Sequence, residues 1–313
     1  MHWRIKGAIQ KVLGAVPRGD DLHYQLQRRA GGLRDVTREM TIKVDDWRVM
    51  VDMLARCGAK VPGARMLEIG TGWYTLFPFA LYAAGAAKIV TVDLNRYLRP
   101  ELTRQCVEVL ARPAHIEVLA ATAGVGAGDV EHRLAKIARA LASGADVTAA
   151  TDGVVEYHAP ADASATSLAD GAIDIVFSNS VLEHVPGPVI AAIFAEARRL
   201  LPAGGVMIHG VNCGDHYAYG DNAINQLHYL SYSSARWAKW QNRFLYQNRL
   251  RAPDFTDLAK AAGFTIALDT SRAKPERLAQ LDQIEVHPEF AKYTREQLAI
   301  TSIDFVARPQ VAG

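Results

Sequence analysis

The sequence predicts an α/β protein: a mostly parallel sheet with helices on both faces, an N-terminal helical extension and helical insertions. Three observations predict it. From residue 60 onward, short apolar runs alternate with helical stretches, the pattern of βαβ units. The runs are rich in β-branched residues, as strands buried on both faces are. The chain has 313 residues, half of them hydrophobic, which is enough for a sizeable core.

The elements follow in order. Ile5, Ala8, Ile9, Val12, Leu13 and Val16 recur at helical spacing, with Arg4, Lys6 and Lys11 off that stripe. Pro17 and Arg18-Gly19-Asp20-Asp21 are expected to stop this helix. Its stripe is expected to pack on the main domain, a lid over an active site being one form of that. A helix lying on a membrane surface is the other reading. Residues 1–60 thus form an extension, and residues 61–313 the main domain, entered at the break Val61-Pro62-Gly63.

Residues 65–69 read as a strand, 76–84 as a helix closed by Gly85, and 88–94 as a second strand. Pro100 opens a helix to about residue 111. Strands are expected at 154–158, 173–179 and 206–211, with a helix over 188–201 ended by Pro202-Ala203-Gly204-Gly205. In the tail, 255–262 reads as a helix, and 264–268 and 301–307 as strands. No convincing helix is read immediately before the last strand, so an antiparallel edge is expected. Two segments exceed ordinary connections and read as insertions: 112–152, with a helix over 130–141, and 212–252, rich in Tyr, Trp, Asn and Arg.

Composition excludes several classes. A net charge of +2 is too small to imply a nucleic-acid partner. Cys57, Cys106 and Cys213 are far apart and form no CxxC pair, which argues against a zinc site or a disulfide framework; no metal is expected. No apolar run reaches the length of a membrane span, and Gln10 and Lys11 interrupt any signal-peptide core. A cytoplasmic protein is the expectation.

The first main-domain strand ends in Leu67-Glu68-Ile69-Gly70-Thr71-Gly72, a glycine turn of the kind that lets backbone approach a ligand. The third glycine of a dinucleotide fingerprint would fall at Thr75, which disfavours NAD. Val92-Asp93 ends the second strand, and Ala161-Asp162-Ala163 follows the third. Ser178-Asn179-Ser180-Val181-Leu182-Glu183-His184-Val185 ends the fourth, and Leu200-Leu201-Pro202-Ala203-Gly204-Gly205 precedes the fifth. As an ordered set, these resemble the small-molecule branch of the class I S-adenosylmethionine (SAM)-dependent methyltransferases, over about residues 60–215 and the tail strands.

The resemblance implies a Rossmann-like sheet of seven strands with the last antiparallel, and SAM as cofactor. It places Glu68, Gly70, Thr71 and Gly72 near the methionine end, Asp93 on the ribose hydroxyls with Leu94 beside it, Asp162 on the adenine amine and Ala163 against the ring, with Asn179 after the fourth strand. Trp73 and Tyr74 depart from the family, which has a glycine at position 74. They close over the methionine side, favour the sulfonium by a cation–π contact, or are core.

Methyl transfer is an in-line displacement, for which the protein aligns the partners and excludes water. A base is needed only if the acceptor carries a proton. His209, at the end of the fifth strand, is the preferred candidate, with His184 and His216 beside it. In the segment 236–244, Trp237, Trp240 and Phe244 share one helical face and Arg236, Lys239 and Arg243 another, and no acid occurs from 236 to 251. This reads as a packed amphipathic helix or as a lid that recognises an anionic group.

The expected activity is O-methylation of a small polar, anionic or sugar-type acceptor. Asn179-Ser180-Val181-Leu182 lacks the motif of nucleobase-amine enzymes. Two alternatives stay open: transfer of the aminocarboxypropyl arm or cyclisation of SAM, and a non-catalytic SAM-binding module. The oligomeric state is not legible.

Overall fold

In the computed structural model, which describes residues 2–16 and 19–310, the chain begins with three helices: α1 (Trp3–Ala15), α2 (Gly19–Ala30) and α3 (Val36–Arg56). The alternating part follows as β1 (Arg65–Ile69), α4 (Leu76–Ala83), β2 (Lys88–Val92) and α5 (Pro100–Leu110). The first insertion is helical throughout: α6 (Pro113–Ala123), α7 (Ala127–Ala142) and α8 (Val147–Ala150). Then come β3 (Val155–His158), β4 (Ile175–Asn179), α9 (Gly187–Leu200), β5 (Val206–Asn212), α10 (Ser234–Trp237), α11 (Ala252–Ala261), β6 (Phe264–Asp269), α12 (Pro275–Leu281), α13 (Arg295–Ala299) and β7 (Ser302–Pro309).

The seven strands form one sheet in the order β3-β2-β1-β4-β5-β7-β6. β1 to β5 pair in parallel, and β7 runs antiparallel to both β5 and β6. The fold is therefore the Rossmann-like one expected. The strand order reverses between β1 and β4, which makes the crevice above their carboxyl ends the place for a ligand.

Residue parity assigns each strand side chain to a layer. Met66, Ile89, Ile175, Phe177, Val206 and Ile208 face the core shared with α3 to α7. Leu67, Ile69, Val90, Val92, Val176, Met207 and Val211 face the core shared with α9 and α11.

Three expectations change. The expected stop at Pro17 and Arg18 lies outside the described residues, but Gly19, Asp20 and Asp21 open α2, the two acids suiting its N-terminal dipole. In α1 the apolar stripe is not the packed face: Ile5 is 55%, Val12 63% and Val16 40% exposed. Trp3, Gly7 and Gln10 are buried instead. The Trp3 ring lies 4.8 Å from the Trp240 ring and 5.5 Å from that of Tyr217, and the Trp3 backbone N–H donates to Asp221 Oδ2 at 2.8 Å. A Cβ on Gly7 would meet the Tyr217 hydroxyl at 2.9 Å, so the helix seats close at that point.

The 236–244 helix does not form. α10 ends at Trp237, and Asn242 Oδ1 accepts from the N–H groups of Phe244 and Leu245, each at 3.0 Å. An Asn side chain that satisfies backbone donors in this way competes with the helix ladder.

Candidate active site

A cavity of about 570 Å³ opens above the carboxyl ends of β1, β2 and β4. Its floor is the glycine turn. Gly70 has φ +82° and Gly72 φ +71°, where a side chain is strained. A Cβ on Gly70 would lie 2.5 Å from Val181 Cγ2, so only glycine lets the β1 and β4 turns meet. The Gly72 N–H donates to Asp93 Oδ2 at 2.8 Å, and the Asn95 N–H to Asp93 Oδ1 at 3.0 Å. These two bonds fix the carboxylate at the cavity wall and leave lone pairs for a ligand.

Glu68 is buried beneath the turn. Thr91 Oγ1 donates to its Oε2, and Thr71 Oγ1 contacts Thr91 in turn. Burial pushes the Glu68 carboxyl up to about 8, against the lowering effect of the Thr91 bond. Burial also raises Asp93, while backbone N–H groups, those of Asn95 and Gly72 among them, act the other way.

Asn179, Ser180, Val181 and His184 line the β4 side. Ser180 has φ +56°, uncommon for a residue with a side chain, and its N–H donates to Gly210 O at 2.8 Å. Lys43 reaches in from α3, bonding Asn179 Oδ1 and lying 3.1 Å from Asp46 and 3.4 Å from Ser180 Oγ. The His184 Nδ1 lies 2.6 Å from the Tyr246 carbonyl. A carbonyl only accepts, so the Nδ1 carries the proton and the Nε2 of the neutral ring keeps its lone pair.

Over the cavity lie α2 and the loop after α10. His23 stacks on Phe244 with ring centroids 4.0 Å apart and planes at 11°. Gln27 Nε2 contacts His23 Nε2 at 3.0 Å while Gln27 Oε1 accepts from the Gly32 N–H, which makes the Gln27 amide nitrogen the donor and His23 Nε2 the acceptor. Burial lowers the His23 pKa, keeping the ring neutral. Trp73 is engaged by Tyr24 at 5.2 Å and Tyr97 at 4.9 Å, with the Arg99 guanidinium over its ring at 5.9 Å. The Arg243 guanidinium is 2.5 Å from Asp20.

The structure thus brings together Glu68, Gly70, Thr71, Gly72, Trp73, Tyr74, Asp93, Leu94, Asn179 and His184. It leaves out four expected site residues. His209 is fully buried within the sheet, 2.8 Å from Ser178 Oγ and packed against Phe194 and Phe305. Burial lowers its pKa to about 3. It shares parity with Met207 and Val211 and so points into the α9 layer, away from the crevice. Asp162 does not line the cavity: it is exposed and accepts from the Ser164 N–H at 2.8 Å and Oγ at 2.7 Å, a local turn. Ala163 packs against the α9-side core. His216 does not line the cavity either, but its ring lies 4.9 Å from that of His184.

Lys43, His23 and Tyr246 line the cavity without having been singled out. Lys43 is the one lysine of a helix that also carries Arg38, Arg48 and Arg56, and its local sequence gives no sign of a site. Arg243 and Phe244, flagged for their basic and aromatic pattern, do line the cavity, from a loop and not from a helix.

The sheet order, the glycine turn and the acid just after β2 together make an open crevice at the switch point of the sheet, where α/β domains of this kind take ligands. Residues 115–209 match the family model for a methyltransferase domain. Over that stretch, which is under a third of the chain, and in its fold, the chain is similar to the SAM-dependent methyltransferases, whose cofactor is SAM. The matched stretch includes β3, β4 and the turn through His184.

No curated protein sequence matches the chain. Solved structures similar to it include a SAM-dependent methyltransferase from Mesorhizobium loti, 17% identical over 82% of this chain and 95% of that one, with a TM-score of 0.44. Geranyl diphosphate methyltransferase in complex with SAM is 14% identical over 85% and 84%, with a TM-score of 0.47. The [4+2]-cyclase SpnF is 15% identical over 85% and 81%, with a TM-score of 0.44.

The residues present fit the cofactor. The Asp93 carboxylate is fixed at the wall with lone pairs free, and a Cβ on Gly72 would meet nothing within 4 Å, so the turn is open toward the cavity. Among the described residues, no helix is long and apolar enough to cross a membrane.

Proposed function

We propose that the chain methylates a hydroxyl oxygen of a small, polar, anionic acceptor. The observation that carries this reading is one cavity lined by the Asp93 carboxylate, the His184 ring and the cations Lys43 and Arg243. SAM supplies an electrophilic methyl group on a sulfonium. Asp93 would take the ribose hydroxyls, and Glu68, Gly70, Thr71, Gly72 and Asn179 the methionine side. Lys43 and Arg243 recognise the acceptor's negative charge. His184, with its Nε2 lone pair kept by the Tyr246 carbonyl, activates the acceptor hydroxyl.

Residues of the extension serve as a lid. His23 on Phe244 and Tyr24 on Trp73 close aromatic surface over the site and exclude water. The bulk of Trp73 is accounted for by this anchoring, which supports plain methyl transfer over other uses of SAM. The three free cysteines suit a cytoplasmic setting.

Calorimetry with SAM and a mass-spectrometric screen for a metabolite gaining one methyl test the reading. SAM is expected to bind, and Asp93→Ala to weaken it by about 1.5–3 kcal/mol, the worth of hydrogen bonds to a charged group. S-adenosylhomocysteine is the expected product. Methylthioadenosine in its place would overturn methyl transfer.

A further inference from the structure

Beside the cavity, Glu183, His184 and His216 each bring a ligand atom within 4.8 Å of the other two. For three atoms so spaced there is a point within about 2.8 Å of all of them, from which side-chain shifts of under about 1 Å reach the 2.0–2.2 Å of zinc–nitrogen and zinc–oxygen bonds. Glu183 Oε2 and His216 Nε2 are buried and have no hydrogen-bond partner among the described residues. Glu183 is only 2% exposed, so its carboxylate oxygen is left unpaired in the interior, where that is costly. His184 Nδ1 is engaged by Tyr246, which leaves its Nε2 as the third atom.

A short strap holds all three residues. The Tyr246 carbonyl accepts from His184 Nδ1 at 2.6 Å, Gln247 Oε1 accepts from the His216 N–H at 3.0 Å, and the Asn248 N–H donates to the Glu183 carbonyl at 2.9 Å. A carbonyl behind a ligating imidazole is the usual outer support of a metal site, because it fixes the ring and its tautomer. Two imidazoles and one carboxylate are a donor set for divalent first-row metals.

We infer that Glu183, His184 and His216 bind one divalent transition-metal ion of the zinc class at the edge of the cavity. Three protein ligands leave a coordination position open, and His184 belongs to the cavity wall. With the ion bound, the His184 Nε2 lone pair is spent on coordination and the ion would replace that ring as the activator: its open position would take the acceptor oxygen and lower the pKa of that hydroxyl, whose proton would pass to solvent. This role rests on the methyl-transfer reading; the binding of the ion does not. Lys6 and Lys43 are the nearby cations that oppose it.

The test is equilibrium dialysis of the chelator-treated full chain with Zn²⁺, and visible absorption on titration with Co²⁺. One Zn²⁺ per chain is expected, and a Co²⁺ band that saturates at one equivalent and is displaced by Zn²⁺. Glu183→Gln and His216→Ala are each expected to weaken Zn²⁺ at least tenfold while SAM affinity is kept. Absence of both Zn²⁺ binding and the Co²⁺ band overturns the inference, as does unchanged Zn²⁺ affinity in both folded variants. The wild-type Co²⁺ titration decides the matter if a variant fails to fold. A chain that binds Zn²⁺ but not SAM overturns the cofactor reading and leaves the metal site standing; the converse result does the reverse.

Discussion

Glu68 is a carboxyl held in the interior by one threonine, with a pKa pushed up to about 8. Below that pH it is largely protonated. The cofactor carries a sulfonium and an ammonium, and both favour an ionised neighbour. Binding therefore has to expel the Glu68 proton at pH 6 and no longer does so above pH 8. SAM affinity is expected to rise with pH over this range, by up to about tenfold per unit, and then level off. Glu68→Gln is expected to flatten the profile. Calorimetry across pH 6–9 checks both, and an unchanged slope in the variant would place Glu68 outside the cofactor's field. At this scale the residues that line the cavity were the legible ones, because Gly70, Gly72 and Asp93 sit at strand ends beside the crevice. His209 was misread although its parity with Met207 was visible in the sequence. The end of a strand says that a residue is near the crevice, and parity says which layer receives its side chain. Asp162 failed for a different reason: a serine two residues on offers it a local turn, which competes with any ligand.

At the scale of elements, the strands and the helices between them were readable because each is long enough to show one period. α1 shows the limit of that reading. Its apolar stripe is real, yet the helix seats on the opposite side, because one indole buried among Tyr217, Trp237 and Trp240 removes more apolar surface than several aliphatic side chains at a rim. The stripe was visible, but its partner surface, contributed by residues more than 200 positions away, was not. Trp3→Ala is expected to loosen α1 by about 3–5 kcal/mol. Val12→Ala, at a 63% exposed site, is expected to change it by less than about 0.5 kcal/mol. Amide hydrogen exchange along α1 reads both effects. Loss of protection in Val12→Ala with none in Trp3→Ala would assign the packed face wrongly. The segment 236–244 departs from its helical reading for a related reason, since its aromatic spacing fits a helix while Asn242 caps a turn inside it.

For the whole molecule, the site is assembled from three layers with different strengths. The glycine turn and β4 belong to the sheet, whose side chains are buried on both faces. Lys43 comes from α3, which is packed along its length by Met40, Val44, Trp47 and Met50. The cover is held otherwise. Asp20 to Arg243 and Asp21 to Arg99 are exposed ion pairs, worth about 0–1 kcal/mol each and less in salt. His23 on Phe244 and Tyr24 on Trp73 add aromatic contacts of about 0.5–1.5 kcal/mol each. A cover tied by these contacts opens at far lower free energy than the sheet unfolds, which suits a site whose ligand must enter and leave. Hydrogen exchange in residues 19–30 and 239–247 is therefore expected to be faster than in β1 and β4, and to slow when S-adenosylhomocysteine saturates the cavity. Phe244→Ala is expected to speed ligand release while leaving the exchange of β1 and β4 unchanged. If saturating ligand protects the strand ends but neither cover segment, then α2 and the 239–247 loop are fixed walls, and the entrance to the cavity lies elsewhere.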